Sequence, residues 1–348
     1  MKEIFLTGGT GVFGDYLVRN LADHNDIRLH LLIRGASEKE ARERVAAQGT
    51  LPAHVQVHAG DLLMPHLGLL PEAYAALQSS ITHVLHAAAS IRFNSPLEEA
   101  TRNNVATTEE IIAFARGCKK LERFGYISTA LVAGKRTGTI LEDEFEHNAG
   151  FNNTYQATKY QAEKTARSAG LPLVVFRPPL IYTPNGTSTA GLTSFMKILI
   201  TMIASGKLPY VLGSEDSAMD VVSGEQSAAI ICELFLKDRL THSTFHITNG
   251  KTNLTAGLFH RIIEEEQGHP VPVEFCGIGE SGISCLHDKL RARPELLPLY
   301  NKTESFLAEP AFPKIFDNAH TLVELHKESL GEDPVFILRK IVHEALCS

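Results

Sequence analysis

Apolar residues along the first half of the chain follow two alternating periods. Ile4-Phe5-Leu6 is an unbroken apolar run, the pattern of a buried strand, and Thr7-Gly8-Gly9-Thr10-Gly11 breaks it with residues that tolerate tight backbone geometry. Phe13, Leu17 and Leu21 then recur at i, i+4 and i+8, which predicts a helix with one apolar face to lay on a sheet. The strand-then-helix pattern repeats. Further strands are predicted at Ile27–Ile33, His54–His58, Thr82–His86, Arg123–Ser128 and Leu171–Phe176. Helices are predicted from the capping-box pattern Ser37-Glu38-Lys39-Glu40, over about 97–116 and over about 154–168. Strands separated by helices predict an α/β fold: a doubly wound parallel sheet of the Rossmann type with right-handed crossovers, whose sites lie at the carboxyl ends of the strands.

Past Arg177 the regularity stops. Pro178, Pro179, Pro184 and Gly186 mark a long loop, and the remainder mixes short strands and helices. The reading is therefore a nucleotide-binding Rossmann domain over 1–180 and a smaller C-terminal α/β substrate-capping lobe over 181–348, partly threading back onto the main sheet. The apolar segments Leu192–Ala204 and Leu208–Leu212 fit either a greasy lid over a pocket or an ordinary core helix and strand.

Charge and composition narrow the function. A net charge of -7 with no basic stripe argues against nucleic acid as a partner. The five cysteines are scattered, without metal-binding or paired spacing, and read as reduced thiols of a cytoplasmic protein. Lys2 and Glu3 lie in the first strand, so no signal peptide is expected. The longest lipophilic run, Phe195–Ala204, contains Lys197 and falls short of the ~20 residues a membrane helix needs, so no stable membrane insertion is expected. His83 and His86 flank a strand and read as packed or exposed imidazoles, and no metal is expected.

The glycines Gly8, Gly11 and Gly14 have the spacing of a dinucleotide-binding turn: one for the bend, one for backbone approach to a pyrophosphate, one for close helix packing. Thr10, Val12 and Phe13 complete that turn, with the amides near Gly11 to Phe13 facing the anion. Arg34 stands twenty residues past Gly14, where a reader of the 2′-hydroxyl would carry Asp or Glu; a guanidinium suits a 2′-phosphate, which favours NADP(H) over NAD(H). Asp61, followed by Leu62, ends the third strand and is placed to bond the adenine amine, or is an ordinary turn aspartate. Ala87, Ala88 and Ala89 leave room for a cofactor against bare backbone, though core packing favours small residues there too.

Tyr155 and Lys159 are four apart on a predicted helix and share a face. A phenol has a reference pKa near 10, and a nearby ammonium stabilises the phenolate, so the pair reads as a general acid/base tuned toward working pH. Thr129, at the end of the fifth strand, supplies a hydroxyl for a developing oxyanion, with Ser128 as its rival.

Together these motifs resemble the extended short-chain dehydrogenase/reductase superfamily. TGGTGVFG, GDL, HAAASIRFNSP, the Asn104-Val-Ala-Thr-Thr108 segment, YISTALVAG, YQATK and FRPPLIY come in that family's order over about residues 1–185. HAAASIRFNSP and STALVAG look most like the branch of fatty acyl reductases and thioester reductase domains, the male sterility type. Ala130-Leu131 follows Thr129 where nucleotide-sugar dehydratases would show Asp-Glu. The resemblance implies Thr129, Tyr155 and Lys159 as a catalytic triad. It also implies Asn104 as a fourth member that orders a water near Lys159, and Pro178, Leu180 and Ile181 lining the nicotinamide. The expected function is an NADP(H)-dependent oxidoreductase passing hydride to a carbonyl or acyl-thioester carbon of a lipophilic small molecule, as a monomer or homodimer. Alternatives are a ketone/alcohol dehydrogenase or epimerase with the same triad, and a non-catalytic NADP(H)-sensing regulator.

Overall fold

Alternation of side chains along each strand divides the sheet residues between two cores, which is why the strands read as unbroken apolar runs. The computed structural model describes residues 1–46, 51–93, 95–184, 192–251 and 254–347, leaving the side chains of 192–195 and 302–306 undescribed. Gly186 of the predicted long loop falls outside them. The central sheet holds β1 (Lys2–Thr7), β2 (Ile27–Ile33), β3 (Val55–Ala59), β4 (His83–His86), β5 (Arg123–Ile127), β6 (Leu173–Arg177) and β7 (Thr244–His246). Every pairing is parallel, in the spatial order β3-β2-β1-β4-β5-β6-β7. The order reverses between β1 and β4, and ligands of such sheets bind outside that crevice.

On one face Ile4, Leu6, Leu31 and Leu85 pack with Leu17 and Leu21 of α1 (Val12–Ala22). On the other, Phe5, Val84, Phe124 and Tyr126 meet Phe114 and Ala162 from the helices that precede and follow β5. Helix α2 (Glu38–Ala46) opens with the reciprocal bonds expected, Glu40 N–H to Ser37 Oγ at 3.2 Å, while the Glu40 carboxylate accepts from Ala36 N–H, one residue earlier than in a regular capping box.

The second half completes the first core. The helix Gly224–Leu236 lays Ile230, Ile231 and Phe235 on the same face as α1, and β7 extends the sheet beside β6. β7 is three residues long, too short for a period to be read from sequence. A separate core gathers Tyr182, Met196, Ile200, Phe259, Leu338 and Ile341. Leu208 and Ile200 are fully buried within it, so Leu208–Leu212 and the described part of Leu192–Ala204 serve as core rather than as an open lid. Among the described residues no helix is long and apolar enough to cross a membrane.

The helix expected over 97–116 is not continuous. Leu97–Thr101 and Thr107–Gly117 are joined by a π turn, Arg102–Ala106, with Asn104 at its middle. Such bulges re-aim a side chain, and the sequence carries no local signal for them.

β1 enters α1 through a turn that only glycine permits. Gly8 has φ +82°, and a Cβ there would lie 2.6 Å from Ala88 N; a Cβ at Gly14 would lie 2.0 Å from Gly8 O, and one at Gly11 3.3 Å from the same oxygen. Gly14→Ala should lower the thermal unfolding midpoint by about 1–4 °C, from about 1–3 kcal/mol of overpacking. Gly11→Ala should shift it far less. Paired melting curves check that order, and equal shifts would contradict it.

Candidate active site

Gly11 is the N-cap of α1, extended at φ −72°, ψ 160°, and has no side-chain cap. The amides of the first turn, Val12, Phe13 and Gly14, therefore face outward with the positive end of the helix dipole behind them. The missing side chain at Gly8 lets the end of β1 close on the Ala87–Ala88 backbone, and those missing at Gly11 and Gly14 let the start of α1 close on Gly8 O. This cradle fits a pyrophosphate. Register places Thr7, His86 and Tyr126 side by side on β1, β4 and β5. The glycine turn and Thr129 thus stand about two strand spacings apart, roughly 10 Å, a span one extended dinucleotide covers.

Arg34 and Asp61 meet at the ends of β2 and β3, with Arg34 Nε 3.4 Å from Asp61 Oδ2 and the arginine 68% exposed. Asp61 Oδ1 also accepts from Leu63 N–H at 2.9 Å, and Leu62 packs partly onto the core. The two residues read separately from the sequence are one exposed ion pair.

A directed chain of bonds links the glycine turn to the π turn. Ala88 N–H donates to Thr7 Oγ1 at 3.4 Å, and Thr7 Oγ1 lies 2.7 Å from His86 Nδ1, which accepts its proton because the other ring nitrogen must donate to Thr108. His86 Nε2–H faces Thr108 Oγ1 at 3.3 Å, and Thr108 donates to Asn104 O at 2.7 Å. Burial, with Lys159 adding to it, holds the His86 pKa down to about 3, so the ring is neutral. Three hydrogen bonds fix the Asn104 side chain. Its Oδ1 accepts from Ser90 N–H at 2.7 Å, and its Nδ2 donates to Ser90 O and Thr158 Oγ1 at 3.2 and 3.0 Å.

The Thr154–Arg167 helix is capped by Asn153, whose side chain accepts from Gln156 N–H at 2.9 Å. Tyr155 is half-buried against Phe93, ring centroids 5.0 Å apart, with Leu131 and Leu180 in the same apolar cluster. The Thr129 hydroxyl lies close enough to lower the phenol's pKa. Lys159 Nζ is buried, donates to Ile127 O at 2.8 Å and sits 4.3 Å from the centre of the Tyr126 ring. Thr129 Oγ1 also reaches Pro178 O at 3.3 Å, which ties this edge to the Pro178–Ile181 segment. Ser128 Oγ instead donates to Glu163 Oε2 at 2.6 Å.

The electrostatics correct one expectation. Burial pushes the Tyr155 phenol up to about 12, against a smaller lowering by Thr129, and burial pushes Lys159 down to about 7, against the attraction of Glu163. Desolvation outweighs mutual tuning because both charged forms lose water when they enter the site.

The family model described as male sterility protein matches residues 6–231. The chain belongs to that NAD-binding family. It is 27% identical over 265 residues to the fatty acyl-CoA reductase wat of Drosophila melanogaster, covering 64% of this chain and 51% of the relative. It is 27% identical over 267 residues to a linear gramicidin synthase of Brevibacillus parabrevis, covering 71% of this chain and 5% of the relative. The chain thus spans about half the length of the curated acyl-CoA reductase it matches. Its fold is shared with the terminal R domain of the myxalamid biosynthetic pathway (TM-score 0.75, 22% identity, 99% of this chain and 91% of that one). UDP-glucuronic acid 4-epimerase from Bacillus cereus has the same fold (TM-score 0.65, 16% identity, 98% and 96%).

Four residues of this family member were not singled out as site residues from the sequence: Phe93, Tyr126, His86 and Glu163. Glu163 had a signal, since it lies one turn past Lys159 on the same face. The others depend on register between strands far apart in sequence. Among the described residues no cluster of three or more His, Cys, Asp or Glu side chains is built to hold a metal.

Lys159 supplies a stability test. Its folded pKa lies below its unfolded value near 10.4, so the native state binds fewer protons between about pH 7 and 10, and wild-type stability should rise across that range. Lys159→Met removes this term. Its stability relative to wild type should be greatest below pH 7 and shrink toward pH 10, as read by urea unfolding; a difference that does not change with pH would refute the burial argument.

Proposed function

We propose that the chain is an NADP(H)-dependent reductase that passes hydride to a carbonyl or acyl-thioester carbon of a lipophilic small molecule. One observation carries this reading: Tyr155 meets Thr129, with the Lys159 ammonium one helical turn behind, at the sheet edge where β1 ends in the glycine cradle. When bound, the nicotinamide nucleotide supplies the hydride. Gly8, Thr10, Gly11, Val12, Phe13 and Gly14 hold its pyrophosphate. Arg34 takes the 2′-phosphate, Asp61, Leu62 and Ala87 to Ala89 flank the adenosine half, and Pro178, Leu180 and Ile181 line the nicotinamide end.

Tyr155 is protonated at neutral pH, as a proton donor must be, and gives its proton to the substrate oxygen as negative charge grows there. Thr129 steadies the same oxygen. Lys159 offsets the charge of the phenolate left behind, and Asn104 acts by fixing the Ser90 loop against Thr158. The apolar character of the substrate is supported by Phe93, Leu131 and Leu180 around the tyrosine. The choice of a thioester draws on the relative named as a fatty acyl-CoA reductase.

Purified protein with NADPH and a long-chain acyl-CoA should lose absorbance in the reduced-nicotinamide band. Consumption with ketones alone would shift the reading to a ketone reductase. Tyr155→Phe should cut turnover by at least ~100-fold with NADPH binding intact; retained turnover would remove Tyr155 from the mechanism. Arg34→Asp should weaken NADPH binding far more than NADH binding, as isothermal titration would read, and equal losses would refute the 2′-phosphate role.

A further inference from the structure

Three consecutive residues at the end of β5 each face a different turn of one helix, two of them through hydrogen bonds. Thr129 meets Tyr155, the Ile127 carbonyl accepts from Lys159 Nζ at 2.8 Å, and Ser128 Oγ donates to Glu163 at 2.6 Å. Tyr155, Lys159 and Glu163 stand at i, i+4 and i+8, a single face. Glu163 is fully buried and the most heavily bonded of the three. Its carboxylate accepts from Arg177 Nη2 at 2.6 Å, from Arg177 Nε at 3.2 Å to each oxygen, and from Arg167 Nε at 2.8 Å. Arg177 in turn donates to the Glu144 carbonyl at 3.1 Å and lies 3.2 Å from His246 Nε2 on β7. This third contact is anchored to β6 and β7, so it cannot follow a local movement of the helix.

We propose, resting on the reductase reading above, that Glu163 is a positioning residue for hydride transfer: through Ser128 it clamps the strand end that carries Thr129 and the Ile127 carbonyl, and so fixes Tyr155 and Lys159 relative to each other. Neutralising Arg177 does not by itself call for a serine at 128. That bond joins the charge cluster to the strand end. The carboxylate also acts through its charge. The titratable and charged groups around the Lys159 and Glu163 pair are Tyr155 and Arg167 on their own helix, Tyr126 on β5, neutral His86 on β4, Arg177 on β6 and His246 on β7. Glu163 is the anion in that set, and it opposes the desolvation that drives Lys159 toward its neutral form.

Ser128→Ala removes the clamp and leaves the Glu163–Arg177 pair in place. Turnover number should fall roughly 10–100-fold while the NADPH KM and the unfolding midpoint hold, since small misplacements at a reacting centre have effects of that size. Ser128→Thr, which keeps the hydroxyl, should restore most of the loss. Glu163→Gln should move the titration of the Lys159 ammonium, followed by 15N NMR without substrate, to lower pH by about one unit. The basic limb of its pH–kcat profile should move the same way, because the cation is then lost earlier as pH rises. Wild-type kcat in Ser128→Ala overturns the clamp, and an unmoved Lys159 titration in Glu163→Gln overturns the electrostatic role. If wild type turns over neither thioester nor ketone, the reductase reading alone falls, and the NMR titration still decides what Glu163 does. Should Glu163→Gln fail to fold, Glu163→Asp is read the same way, with a smaller displacement expected and none overturning the electrostatic role.

Discussion

An ammonium kept out of water is the constraint on which the site depends. Lys159 has one carbonyl, one aromatic face and the field of a carboxylate a turn away to replace its hydration. None of these alone offsets the removal of a charge from water. The helix face must therefore stay against the end of β5 in one register, and Thr129 and Tyr155 are brought together by that same register. The buried ion cluster of Glu163, Arg177 and Arg167 makes the register hard to change, because breaking a buried pair leaves an uncompensated charge worth about 3–5 kcal/mol.

The glycine turn is governed by a steric constraint instead. Gly14 and Gly8 come close enough that a single methyl group would collide with backbone, and that closeness lets α1 start directly over the crevice between β1 and β4. Thr7, His86, Thr108 and the π turn at Asn104 then join this turn to the Thr154–Arg167 helix through bonds whose direction is set by a neutral imidazole. A cationic His86 would reverse one link of that chain. Burial beside Lys159 prevents it.

The second half of the chain is more than a cover. β7 completes the sheet, its His246 lies against Arg177, and buried Glu142 accepts from His246 N–H and from Thr321 Oγ1 at 2.7 and 2.9 Å. The charge cluster behind the Thr154–Arg167 helix is thereby assembled from segments more than a hundred residues apart.

Much of this was readable in one dimension. The six strands of the first half have apolar runs long enough to show, since both faces of a parallel sheet are covered, and the Gly8-Gly11-Gly14 and Tyr155–Lys159 spacings express local geometry, a tight turn and a helix face. Those features follow from short-range sterics and periodicity, so the sequence by itself determined the fold class and that Tyr155 and Lys159 share one helix face. What only the tertiary structure decided was where the Ser128 hydroxyl and the Asn104 amide turn, that Arg34 and Asp61 are partners, and that Glu163 and His86 are buried in bonded networks beside Lys159. Each depends on the alignment of elements distant in sequence and on how much water their packing removes, and neither quantity is written in any local stretch of residues.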